Sequence, residues 1–547
     1  MFLADINSPM SARKVTAEEP WIQFSPPTAD FDLFARHGAD IQLLNERLLD
    51  CQSTFEIKAE IQNFTHSQNS TFAFVFVSPL VVIACVDHVR SIPLFFQAKG
   101  SHLVIASHPA LFPGQPTLSD DPNLVGEFLL TGYLHGKTTL CPEIRALEPG
   151  EMLEWDDSSK STTVSSYFSY FPNAPRSGHN FDELYQEFDA LLDEVFLDLR
   201  SQTNGRSLWI PLSGGLDSRL ILAKCLQHQF EDITTFSYGS RGNHEIEKAK
   251  AVTSELGVPW LGVPATSTRY SRSLFAHDDR RAYAEYAGAL QATPVYLDYE
   301  AITRLRRSGA LREDACIVNG YSGDFLFGGH IPEQFAFDAS LDYLLDAVLS
   351  KHCSHFHFDV FPDALTRIRD NLRKEFSILE LENLETIAGA YENWEWRERQ
   401  SKAVINGQRL YEFYGLDWAL PFWDKRLINF WSKVPVHWKI NQHFHIRYLR
   451  KYNYRGMFTI LRSENKVWPT NRLYLPLVLR LLRLTGGHKA HDAFFERAFY
   501  YGYFHNQLSF FPYRNYANLL NKTRQPRIVP LATLEYLQSL AVEVPTF

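Results

Sequence analysis

Ser207-Leu208-Trp209-Ile210-Pro211-Leu212-Ser213-Gly214-Gly215-Leu216-Asp217-Ser218-Arg219-Leu220-Ile221-Leu222-Ala223 reads as an apolar strand, a glycine turn carrying hydroxyls and one acid, and an apolar helix. Two glycines without Cβ let backbone N–H groups approach an anion, and the helix N-terminus adds its positive end. Ser213 and Ser218 supply hydroxyl donors, so Leu212, Ser213, Gly214, Gly215, Asp217 and Ser218 are the expected cradle for a polyphosphate. Asp217 would repel phosphate on its own and is therefore expected to hold a bridging Mg²⁺. The run lacks the G-x-x-x-x-G-K-[ST] spacing and has no lysine at the helix start.

Downstream, Asp232–Tyr238 reads as a second strand, residues 245–256 as a second helix, and Ala315–Val318 as a third strand entering another glycine loop. This alternation predicts a parallel sheet covered by helices on both faces, with ligand at the carboxyl ends of the strands. Residues from about 340 onward are richer in helical patterns and aromatics. Upstream, residues 72–106 alternate apolar runs with short turns, as successive strands do, and a helix is expected near Leu124–Leu130. The turn-rich stretch Phe171–His179 has no periodicity and marks a boundary. After it, Leu184, Phe188, Leu191, Val195 and Leu199 recur at helical spacing.

The chain has 547 residues, 45% hydrophobic and 21% charged, with a formal charge of −9, enough for two domains with full cores. That charge argues against nucleic acid as a main partner. The apolar stretch Leu473–Leu484 is short and broken by Arg480 and Arg483, so no membrane span is expected. The six cysteines form no C-x-x-C pair and mostly sit in apolar runs, as reduced core residues of a cytoplasmic protein do. No signal peptide is visible at the N-terminus.

The S-G-G-x-D-S loop resembles that of the ATP pyrophosphatases, which cut ATP between the α- and β-phosphates and leave an adenylate on a substrate carbonyl. The second loop, Asn319–His330, resembles the S-G-E-G-x-D-E-x-F-G-G-Y element of the asparagine synthetase family, with Gly320, Asp324, Phe327, Gly328 and Gly329 in place. Residues 415–424 resemble the family's G-x-E-x-R-x-P-F-x-D, and Val86–Leu94 resembles the D-x-x-G-x-x-P-L turn of class II glutamine amidotransferase domains. The resemblance implies an α/β fold: an N-terminal class II amidotransferase-like αββα sandwich over residues 1–175, then a doubly wound parallel sheet with added helices over 180–547. It further implies ATP and Mg²⁺, with Asp217 and Asp324 as the metal-binding acids. Lys466 matches a catalytic lysine, Phe236, Ser237 and Tyr238 lie beside adenine, and Gly320 backs the nucleotide.

Two departures narrow the expected activity. Class II glutaminases use an N-terminal cysteine, whereas Phe2 follows Met1 here, so the first domain is expected to hydrolyse no glutamine. Tyr321 stands where asparagine synthetases carry glutamate. β-Lactam and carbapenam synthetases place a tyrosine there, paired with a downstream glutamate to deprotonate the attacking amine. Ile405 occupies the equivalent of that glutamate, and the nearest upstream is Glu398. The expected function is an AMP-forming ligase that adenylates a carboxylate and joins it to an amine or ammonia. Two alternatives stand beside it: a lasso-peptide or β-lactam-type macrolactam cyclase, and a catalytically silent nucleotide-binding scaffold. Expected partners are a small-molecule or peptide carboxylate and an amine donor, with a homodimer and, for a peptide cyclase, a partner peptidase left open.

Overall fold

The structure, a computed structural model, describes residues 1–7, 14–17, 21–23, 30–36, 40–114, 116–172, 180–203, 205–239, 244–264, 278–459 and 529–544, with 477, 480, 481, 484, 485, 522 and 524. Its first strands are β1 (Phe2–Asn7), β2 (Lys14–Ala17), β3 (Ile22–Gln23), β4 (Asp32–Arg36), β5 (Ala73–Val77), β6 (Val81–Val86), β7 (Phe95–Lys99), β8 (His102–Ala106), β9 (Arg145–Ala146), β10 (Glu151–Asp156) and β11 (Ser161–Ser166). They build two antiparallel sheets, ordered β2-β1-β8-β7-β9 and β11-β10-β6-β5-β4-β3.

β5 and β6 are apolar on both faces because both faces are covered. Phe74, Phe76, Ile83 and Cys85 pack with Ile41, Leu44 and Leu48 of α1 (Ile41–Asp50) and Ile61 and Phe64 of α2 (Thr54–Ser67). The alternate residues Ala73, Val75, Val82 and Ala84 face the main core. Phe2 of one sheet meets Phe34 of the other with ring centroids 5.4 Å apart. Each fully buried side chain of this kind contributes about 1.5–3 kcal/mol.

α4 (Phe181–Thr203) buries Leu184, Phe188, Leu192, Val195 and Leu199, so Leu192 rather than Leu191 completes its face. Beyond it, β12 (Leu208–Pro211), β13 (Ile233–Gly239), β14 (Trp260–Pro264), β15 (Cys316–Val318) and β16 (Asp417–Ala419) pair in parallel, in the order β14-β13-β12-β15-β16. α5 (Leu216–Gln227) links β12 to β13, and α6 (His244–Leu256) links β13 to β14. Strands leave β12 and β15 toward opposite edges, which opens a crevice between the loops that follow them.

The sandwich and the parallel-sheet region share one continuous apolar core. Their seam is also hydrogen-bonded. Trp396 Nε1 donates to the His88 carbonyl (2.8 Å) and His88 Nε2 donates to the Trp423 carbonyl (2.5 Å). The Lys425 ammonium caps the C-terminus of α2 through the Thr65 and His66 carbonyls, where its charge also suits the helix dipole. The six cysteines are unpaired; five are buried and Cys51 is half-buried. Among the described residues no helix is long and apolar enough to cross a membrane; most of Leu473–Leu484 lies outside them.

Burial, followed by the Lys425 charge, lowers the His88 pKa to about 3. The folded chain keeps the ring neutral, whereas the unfolded chain protonates it near 6.5. Its contribution is therefore complete above pH 6.5 and is lost as pH falls from there toward 3, at about 1.4 kcal/mol per pH unit. In denaturant melts, His88→Gln should shrink the stability difference between pH 7.5 and 5 by about 2 kcal/mol. An unchanged difference would remove His88 from the acid response.

Candidate functional site

Leu212 N–H donates to the Phe236 carbonyl (2.8 Å), carrying the β12–β13 ladder to the lip of the crevice. The chain then turns through Ser213–Gly215 into α5, whose N-cap Gly215 offers no side chain. The turn is clasped by hydroxyls: Ser213 N–H donates to Ser218 Oγ (3.1 Å), Gly215 N–H donates to Ser213 Oγ (3.0 Å), and the two hydroxyls lie 3.2 Å apart. Arg219 anchors the turn from behind, with Nε on the Gly215 carbonyl and a terminal nitrogen on the Met457 carbonyl, both at 2.8 Å.

The loop after β15 lies directly on the first turn of α5. A methyl group at Gly320 would sit 3.3 Å from both the Asp217 carbonyl carbon and the Ser218 nitrogen, and one at Gly323 would sit 2.5 Å from Asp217 Cγ. Only glycine admits the Asp217 carboxyl there. Ser322, between them, adopts a left-handed φ of 66° and is held by its hydroxyl donating to Gln400 Oε1 (2.6 Å), a strain that recurs at functional sites.

The two acids are thereby brought together, in different electrostatic states. Burial and then the Asp324 charge push the Asp217 pKa well above the carboxylate range, against a bond from the Asp324 backbone N–H. Asp217 Oδ1 is buried without a hydrogen-bond partner, and its neighbour at 3.9 Å, His445 Nε2, belongs to a ring that burial keeps neutral, with a pKa of about 3. Asp324 is more exposed. Burial would raise it too, but His330 Nε2 at 2.9 Å holds it below the usual range. His330 is in turn pushed up to about 9: burial opposes its charge, and Glu395, 2.5 Å from Nδ1, and Asp324 together outweigh burial.

Tyr321 of the second glycine loop touches a further buried carboxylate. Asp298 accepts from Tyr321 (3.4 Å), Tyr411 and Tyr238. Burial pushes its pKa up while the three phenols pull it down. Burial and the Asp298 charge drive all three phenols well above 10, so each is a protonated donor. Phe236 is fully buried, and Ser237 Oγ donates to the Leu212 carbonyl (2.6 Å) while accepting from Trp260 Nε1 (3.0 Å). Their side chains tie strands together, and Tyr238 alone of the three reaches Asp298. Lys466 lies outside the described residues.

Asp298, His330, Arg219 and Lys248 were not singled out in the sequence. His330 carried a signal, since it ends the second glycine loop where the related motif has tyrosine; Asp298, in Tyr296-Leu297-Asp298-Tyr299, carried none.

The asparagine synthase family model matches residues 206–457, the span that contains both loops, both acids and the five-stranded parallel sheet. Residues 206–457 belong to the asparagine synthase family. No curated protein matches the chain. Among solved structures it is similar to the glutamine phosphoribosylpyrophosphate amidotransferase of B. subtilis complexed with ADP and GMP, and to an allosteric regulatory enzyme of purine biosynthesis. Each is 13% identical over 55% of this chain, with a TM-score of 0.17. The matches cover 64% and 56% of those chains, less than two thirds of either, and superpositions of that quality carry no weight for the fold.

Within the asparagine synthase domain, Gly323→Ala forces a methyl group against the Asp217 carboxyl. We expect a stability loss of about 1–3 kcal/mol in denaturant melts, together with loss of Mg²⁺-dependent nucleotide binding in a fluorescent-nucleotide titration. Undiminished binding would show that the carboxyl has no fixed place.

Proposed function

We propose that this chain is an ATP-dependent, AMP-forming amide ligase. A substrate carboxylate attacks the α-phosphate of ATP, pyrophosphate leaves, and an amine or ammonia displaces AMP from the acyl-adenylate. One observation carries this reading: Asp217 and Asp324, from loops after adjacent parallel strands, are held together at the crevice with Asp217 Oδ1 unpartnered and its ionisation opposed by Asp324.

The donor set suits Mg²⁺. Among the described residues no group of three or more His, Cys, Asp or Glu side chains forms a complete cage, and Mg²⁺ is commonly held by one or two carboxylates plus substrate phosphates. When bound, it would offset the charge developing on the departing pyrophosphate. The chain's own contribution is the clasped Ser213–Ser218 turn for phosphate oxygens, the α5 N-terminus behind it, and His330, which keeps Asp324 ionised.

Amide formation needs a proton acceptor for the amine. Tyr321 is a poor base alone, since its phenol sits well above 10. Asp298 has its pKa raised from the carboxylate range and accepts from Tyr321, so the pair can relay the amine's proton with Asp298 as its destination. This contact favours a second reading, attack by an amine of the same molecule to close a macrolactam, because it supplies the carboxylate that the Glu398 and Ile405 positions do not.

The sandwich is proposed to hydrolyse no glutamine. Phe2 is fully buried, its ring 5.0 Å from that of Trp21, and burial drives the Cys85 thiol well above its usual range.

ATP–pyrophosphate exchange over a panel of carboxylates tests the reading. Asp217→Asn and Asp324→Asn should each abolish exchange, and Asp217→Asn should melt at or above the wild-type temperature because it removes a repelled charge. Exchange surviving in both variants would sink the assignment. Asp298→Asn should leave exchange within about threefold but slow amide formation by about 100-fold or more, read by product formation in single turnovers. Equal losses in both steps would make Asp298 a packing residue.

A further inference from the structure

Gly214 brings the phosphate loop against α6: a methyl group there would lie 3.2 Å from Glu245 Cα. Glu245 and Lys248 are three residues apart on α6, hence on one helix face. The Lys248 ammonium is sealed from solvent and has no hydrogen-bond partner. An ammonium carries three donors, and burying it unpaired is costly.

Among the described residues none supplies the missing charge through a hydrogen bond. Burial, then the Arg219 guanidinium, lowers the Lys248 pKa to about 8, and Glu245 offsets only part of this without bonding it. Arg219 is the residue that anchors the loop through the Gly215 carbonyl, so two cations flank the same turn. The contrast with Lys224 of α5 is direct. Lys224 is buried, and its ammonium lies 2.6 Å from Asp189 Oδ1 and 2.7 Å from Asp193 Oδ1. Lys425 is likewise given the Thr65 and His66 carbonyls; Lys248 has neither carboxylate nor carbonyl.

We propose that Lys248 is a phosphate-binding cation of the nucleotide site, left unpaired so that the pyrophosphate end of ATP supplies its counter-charge. The proposal rests on the ligase reading above and adds to it a residue outside the two glycine loops. The acids stand on the β15 side of the phosphate loop and Lys248 on the α6 side, so a polyphosphate in the turn meets opposite kinds of group on its two flanks. The β- and γ-phosphates carry most of the charge and gain most from the ammonium. AMP, which lacks them, gains little.

The test is calorimetric titration of the full chain with ATP, inorganic pyrophosphate and AMP in the presence of Mg²⁺, comparing wild type, Lys248→Met and Lys248→Arg. Lys248→Met should lose about 10- to 100-fold in affinity for ATP and pyrophosphate, the range of one charge-assisted contact, and less than about threefold for AMP. Lys248→Arg should recover most of the loss. Without nucleotide, Lys248→Met should melt no lower than wild type, since the methionine fills the same space without a buried charge. Unchanged affinities, an equal loss for all three ligands, or a lower melting temperature without ligand would each overturn the proposal while leaving the ligase reading in place. A wild-type chain that binds neither ATP nor pyrophosphate would overturn both.

Discussion

The crevice depends on two like charges being held closer than they would choose. Asp217 and Asp324 repel, and nothing between their side chains draws them together; the contact is imposed by backbone, through Gly320 and Gly323 lying on the first turn of α5. A loop that placed these acids further apart would be easier to fold. The cost falls on Asp217, whose ionised form is disfavoured by burial and by its neighbour. The surrounding sheet and its buried core over-determine the loop positions, which is how a strained constellation persists in a marginally stable chain.

The asymmetry between the acids follows from what each touches. Asp324 ends a relay through His330 to Glu395, and Glu395 is itself surrounded by Lys351 (3.5 Å), His352 (3.6 Å), Arg399 (3.3 Å) and Gln400 (3.0 Å). His330 first, then His352 and Lys351, hold Glu395 well below the carboxylate range against complete burial. Asp217 has no such chain, only the Asp324 backbone N–H and a neutral histidine at 3.9 Å. One acid is locked ionised and the other is poised to gain from any cation that arrives, an arrangement built from second neighbours rather than from the acids themselves.

What was legible in the sequence is what is contiguous. The Leu212–Ser218 turn, the Gly320–Gly329 loop, the long amphipathic helix at 181–203 and the all-apolar strands β5 and β6 are each local patterns whose meaning does not depend on distant residues. β16 escaped because three residues at a sheet edge leave no period to read, and β14 because its Trp260, Leu261 and Gly262 remain partly exposed. Asp298 was invisible for a different reason: it becomes the partner of Tyr321 only when the segment before residue 299 is folded under the loop after β15. Ile405 offers no carboxylate, and the one that Tyr321 touches stands earlier in the chain. Lys248 is likewise unremarkable on its helix until Gly214 brings the loop against it.

The sandwich has a physical role in the site that needs no thiol. The helix at Leu384–Glu395 continues into a π-helical segment, Trp396–Val404, and that single run presents Glu395 to His330 on one side and Glu398 and Lys402 to the sandwich on the other. Lys402 is buried and donates to the carbonyls of Leu134 (3.1 Å) and Gly136 (2.8 Å), while Glu398 accepts from the Gly136 N–H (3.1 Å). Without those sandwich groups the Lys402–Glu398 pair would lose part of its hydrogen bonding, a strongly unfavourable state for buried ions. π-Helical turns are rare in proteins, and this one is bonded from outside by the sandwich. The sandwich supplies that fixation, and through three residues of helix it sets where Glu395 stands, hence His330, hence the charge on Asp324.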